Sequence, residues 1–145
     1  MNTRLFYFLA FAIISLTWTS CDKEDDDDHM HDADVEYHAH ILQPSTDDKH
    51  AGHTIPIEVE FEDHKDGTIH HINVRIYNAG DGTEIYNSPS GEDQHVHASM
   101  KHTLTDSLTL DVAGHTDWVM VAKVWGMEAG MHEATDTVRF HVHPR

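Results

Sequence analysis

Apolar and polar residues alternate over much of this chain. Ile55, Ile57, Val59 and Phe61 are interleaved with Pro56, Glu58, Glu60 and Glu62, so a strand over 54–62 buries one face and wets the other. Ile72, Val74 and Ile76 alternate with Asn73, Arg75 and Tyr77, which predicts a strand at 69–78. Asp81-Gly82 separates it from a short strand at 84–87, a good hairpin signal. Leu108, Leu110 and Val112 predict a strand at 107–112, and Val138, Phe140 and Val142 one at 135–142. WVMVAKVW, residues 118–125, is almost continuously apolar, as a central strand covered on both faces would be, and anchors a strand at 117–125. Weaker segments at 37–43 and 95–100 complete the set, and no long segment has the 3.6-residue period of a helix. About seven short strands in this span predict an all-β fold, an antiparallel β-sandwich.

The order of long and short segments resembles the Ig-like and fibronectin-III-like modules of bacterial surface lipoproteins. The Cys…Trp…Cys core of an antibody domain is absent, which excludes that subclass.

The chain ahead of the sandwich divides in two. Arg4 and the apolar run LFYFLAFAIISL at 5–16 have the form of a signal peptide over 1–20, too short to span a bilayer. Cys21, the only cysteine, follows Thr19 and Ser20 and so cannot staple the domain internally. Its position resembles the lipid-accepting cysteine of bacterial lipoproteins, with Trp18 standing where their cleavage box has Leu. CDKEDDDD, residues 21–28, is similar to the acidic surface-export tether of Bacteroidota lipoproteins. Nine acidic residues between 22 and 36 repel one another and leave 21–36 an extended linker. The resemblance implies an outer-membrane lipoprotein, surface-exposed and joined to the membrane only through its lipid, with one domain at 37–145.

Charge and histidine content change the picture next. Acidic residues outnumber Lys and Arg by 26 to 9, a balance that disfavours nucleic acid and attracts cations. The chain holds 16 histidines, among them three His-x-His pairs: His38 and His40, His95 and His97, His141 and His143. Imidazoles two apart on a strand share a face roughly 6–7 Å apart, within reach of one metal. Neutral imidazole suits Zn and Cu better than the hard cations, which makes zinc or copper the expected cofactor. Read as an Ig-like order, the strands place His38, His40, His64, His70, His71, His102 and His132 at one end, with Met127 and Met131. His50, His53, His115, His141 and His143 go to the other end. The metal-ligand candidates are His38, His40, His71, His95, His97, His102, His132, His141 and His143. His70, on the apolar phase of its strand, reads instead as a partly buried, hydrogen-bonded histidine. Asp63, Asp66 and Glu133 are the carboxylates expected to ligate or to orient a ring.

Other chemistries find less support. DHKDGT at 63–68 and NAGDGTE at 78–84 lack the EF-hand pattern and read as Asp-Gly turns. His132-Glu133 begins a zincin motif, but Asp136 stands where the second His belongs. No G-x-S-x-G elbow occurs, and the chain is expected not to be an enzyme. GMEAGMHE at 126–133 could supply thioethers to Cu(I), with Met100, or simply fill gaps. Haem capture through His and Met ranks below these. The alternative function is an adhesion or interaction module for protein or glycan, using Trp118, Trp125, Tyr77 and Tyr86 as a stacking surface and its histidines as decoration or a pH switch.

Overall fold

The computed structural model describes residues 35–65, 67–88, 94–127 and 132–145. The expected leader, and the expected tether up to Asp34, lie outside them. Nine strands follow in order: β1 (Tyr37–Gln43), β2 (Lys49–His50), β3 (Thr54–Asp63), β4 (Thr68–Asn78), β5 (Glu84–Ser88), β6 (Gln94–Ser99), β7 (Lys101–Thr109), β8 (Thr116–Trp125) and β9 (Ala134–His143). No helix occurs among the described residues.

The strands form two sheets, β1-β3-β7 and β2-β9-β8-β4-β5, with β6 on the remaining length of the β4 edge. Thus β1, β3 and β7 stand where A, B and E stand in an Ig-like sandwich, and β9-β8-β4-β5 where G-F-C-C′ stand. The architecture predicted from alternation is the one observed. All pairings are antiparallel except β2 with β9, where Lys49 lies beside Val142 and His50 beside His143. Two residues of parallel pairing carry no periodicity, so β2 has no sequence signature.

Each long strand folds as its alternation requires. Ile57, Val59 and Phe61 of β3 are fully buried, as are Ile72, Val74 and Ile76 of β4 and Met120, Ala122 and Val124 of β8. Val119 and Trp125 are also buried but on the opposite phase of β8, outside the main core cluster. Trp125 is covered there by the His71 ring (5.3 Å, 11° between planes) and the Lys123 ammonium (5.0 Å). This explains the nearly continuous apolar run: β8 is central and covered on both faces.

One strand differs from expectation. The strand predicted at 107–112 is β7, Lys101–Thr109. Its core-facing positions are at most half-buried, and Leu104 and Leu108 are its only aliphatic ones. Such an edge strand gives a weak alternation signal. Leu110 is fully buried beyond its end, accepting from Gly52 N (2.7 Å) and donating to His53 O (2.9 Å).

His102 of β7 faces Phe61 (6.5 Å between ring centroids), and burial lowers its pKa. The folded state therefore binds the proton less readily than the unfolded chain. Stability attached to His102 is intact above the ordinary imidazole pKa and is lost as pH falls through it. Replacing His102 with Gln should narrow the gap in melting temperature to wild type, or reverse it, between pH 7.5 and pH 5. A gap that does not change with pH would remove His102 from the acid response.

Candidate metal centres

Three groups of side chains among the described residues bring one ligand atom each within 4.8 Å of one another: His115, His141 and His143; His70, His95 and His97; and Glu36, His38 and His64. Tetrahedral coordination at 2.0–2.1 Å needs nitrogens roughly 3.3 Å apart, a closure that ring rotation can supply.

The first group lies where β8 begins and β9 ends. Phe140 and Val142 are buried, which turns His141 and His143 to the opposite face, with 4.7 Å between their ring centroids. The sequence alternation predicted this pair. His115 joins them from the turn before β8: its N–H donates to Val142 O (2.7 Å), and its φ of 59° reverses the chain. Gly114 makes this approach feasible, because a Cβ there would lie 2.5 Å from Pro144 N. The His115 ring is 6.2 Å from both His141 and His143.

Two carboxylates orient this group. Asp117 lies opposite His141 in the β8–β9 register, and its Oδ1 is 2.7 Å from His141 Nδ1. Asp48 Oδ2 is 3.0 Å from His143 Nε2. An ionised carboxylate only accepts, so these bonds place the protons on His141 Nδ1 and His143 Nε2. The lone pairs of His141 Nε2 and His143 Nδ1 are then left for a metal, the arrangement in which a carboxylate fixes a ligand's tautomer and raises its basicity. The hydrogen bond from His143 is the largest influence holding the Asp48 carboxyl below its usual range, and His141 and His50 add to it by charge. His50 packs 5.7 Å from His143 and 5.5 Å from His53. The five histidines expected at this end are therefore together.

The opposite end is not one group. His95 and His97 of β6 meet His70 of β4, with His70 centroids at 5.7 and 5.5 Å and 4.1 Å between His95 and His97. His70 is half-buried, as expected, but its Nδ1 is buried with no hydrogen-bond partner, so the hydrogen-bonded part of that expectation is corrected. Burial, and then the neighbouring rings of His97, His95 and His71, push its pKa down. His71 lies outside the trio, buried between Trp125 and the His95 ring at 4.5 Å.

The third group is more open. His38 stacks on His64 at 4.3 Å and on His40 at 6.0 Å. His38 Nε2 is 3.5 Å from Glu36 and His64 Nε2 3.3 Å from Glu62. The bond from His64, followed by that from Lys101, pulls the Glu62 carboxyl down to about 2. His102 and His132 join none of the three groups.

The carboxylates expected to serve the histidines do other work. Asp63, only 2% exposed, closes the β3–β4 turn by accepting from Glu36 N (3.2 Å) and Lys65 N (2.9 Å). Glu133 pairs with Lys123 at 2.7 Å. Asp66 and Met131 lie outside the described residues, and Met127 is exposed. Of the proposed stacking surface, Trp118 and Trp125 are buried, while Tyr77 and Tyr86 are half-buried.

No protein-family model matches the sequence, and no curated protein matches it. Solved structures with a similar course include the CARDB domain of the PF1109 protein from Pyrococcus furiosus in complex with di-metal ions. It is 16% identical at a TM-score of 0.43, covering 76% of this chain and 94% of that one. A conjugative transposon lipoprotein from Bacteroides eggerthii is 11% identical at a TM-score of 0.42, covering 72% and 95%. A superoxide reductase (neelaredoxin) from Ignicoccus hospitalis is 15% identical at 0.40, covering 74% and 82%.

Proposed function

We propose that this chain is a cell-envelope lipoprotein whose sandwich binds zinc or copper for sequestration or delivery, without catalysing a reaction. The observation that carries the reading is the trio His115, His141 and His143, two of whose rings are held by Asp117 and Asp48. Imidazoles alone are common on surfaces. Imidazoles that converge with their second nitrogens on carboxylates are pre-set for a metal. Three neutral nitrogens suit a borderline cation and leave a coordination position for water or for a partner receiving the ion. The export features at Cys21 and the acidic run after it supply the location in this reading, with the outer surface of the outer membrane as the place of anchorage.

Calorimetric titration of the tag-free protein with Zn(II), Cu(II) and Ni(II) at pH 7.4 and 5.5 tests it. Saturable binding of whole equivalents at pH 7.4, weakened at least tenfold at pH 5.5 as protons compete for the imidazole nitrogens, is the expected result. Weak uptake of many equivalents at both pH values would reduce the histidines to a non-specific surface and end the proposal.

A further inference from the structure

Strand β6 meets β4 through a ladder whose irregularity falls where the second imidazole trio lies. Ile69 pairs with Ala98 and His71 with His95, so His70 alone faces two residues, Val96 and His97. Such a bulge bends its strand and re-aims side chains, and bulges are enriched beside functional sites. The burial pattern is irregular at the same place. Ile69 and Ile72 are both fully buried, so the core alternation of β4 breaks between them, opposite the extra residue of β6. Val96 and Ala98 pack against the core while His95 and His97 are exposed. The extra residue of β6 sets Val96 and His97 against His70, whose ring lies 5.5 Å from His97 and 5.7 Å from His95.

We propose that His70, His95 and His97 form a second metal site, separate from the β8–β9 site and taking a borderline divalent cation such as Zn(II) or Cu(II). It rests on the same imidazole chemistry as the proposed function but on different strands. Among the described residues the donor set contains no carboxylate, and three imidazoles suit Ca(II) and Mg(II) poorly. The half-buried His70 supplies the floor, and its Nδ1 is a buried nitrogen with no hydrogen-bond partner among the described residues. His95 and His97 supply the solvent side, which leaves an entry path. The site cannot share an ion with the first. His71 lies opposite Trp125 at the end of β8, whereas His115 precedes Thr116 at its start. The length of that strand separates them by roughly 30 Å.

Each site has its own tryptophan. Trp125 stacks on His71, which touches His95, while Trp118 donates its Nε1–H to Thr116 Oγ1 (2.9 Å), beside His115. The experiment compares Zn(II) stoichiometry in the full chain, in H95A/H97A and in H141A/H143A. It then follows Cu(II) quenching in a W18F/W118F background, where Trp125 is the only tryptophan. Loss of one equivalent in each double variant is expected, with quenching abolished by H95A/H97A and retained in H141A/H143A. Full wild-type stoichiometry in H95A/H97A would overturn the second site and leave the first standing. Full stoichiometry in H141A/H143A, with loss in H95A/H97A, would overturn the assignment of the first and keep the second. Circular dichroism checks the fold; should H95A/H97A unfold, the exposed single change His97→Asn gives the same reading.

Discussion

Replacing His141 and His143 together with Ala is expected to abolish tight metal binding at the β8–β9 end while leaving the fold intact. Both rings sit on the outer face of β9, and the core is held by Phe140 and Val142 between them. Only His115 would remain of the trio, and a single imidazole holds such an ion only weakly. Asp117→Asn is the graded form of the same experiment. The amide can still accept from His141 Nδ1 at the 2.7 Å position but no longer brings a negative charge. Losing such a partner costs roughly 10–100-fold in affinity. Asp81→Asn, a turn carboxylate bonded to Thr83 N, removes the same charge away from the histidines and should change affinity little. If both Asn variants weaken binding equally, general acidity attracts the metal and the oriented imidazole is the wrong explanation.

Phe61→Ala is expected to give the largest loss of stability. Phe61 is fully buried in the middle strand of the three-stranded sheet, opposite Ala39 of β1 and His102 of β7. Truncating a buried Phe costs about 3–5 kcal/mol, from lost transfer energy and the cavity left behind. A domain of this size has about 5–15 kcal/mol in total, and its melting temperature should fall by roughly 15–30 °C. Zinc should recover part of it. An ion at one hundred times its Kd adds about 2.7 kcal/mol to the folded state, whichever residue weakened the core. Thermal melts with and without Zn(II) separate the two effects. A fall of only a few degrees without metal would mean that the sheets do not pack through Phe61.

The strands that period-2 alternation places, at 37–43, 54–62, 69–78, 84–87, 117–125 and 135–142, correspond to β1, β3, β4, β5, β8 and β9 to within one residue at each end. One buried face per strand makes the pattern visible. β7 is blurred because an edge strand buries little, and β2 is invisible because two residues have no period. The candidate centres were legible only in pieces. The pair His141 and His143 follows from alternation alone, whereas its assignment to one end with His115 follows from reading the strands in an Ig-like order. The partners Asp117 and Asp48 come from cross-strand register and from the parallel β2–β9 contact, neither of which a linear pattern contains. An unbroken alternation puts His70 on the apolar phase, but β4 buries both Ile69 and Ile72, an irregularity opposite the extra residue of β6 that has no linear signature.

The direction of β1 has a consequence for how the domain is presented. Tyr37 lies against Asp63 at one pole of the sandwich, whereas His143 O accepts from Ala51 N close to Thr54, at the other. In the proposed reading an anchored chain would be joined to the domain at the pole of the β4–β6 trio, with the β8–β9 trio at the pole opposite. The two ends would then sample different ion pools, one close to the headgroups and one in the surrounding medium. A chain anchored this way has a loading side and a membrane side before any partner arrives.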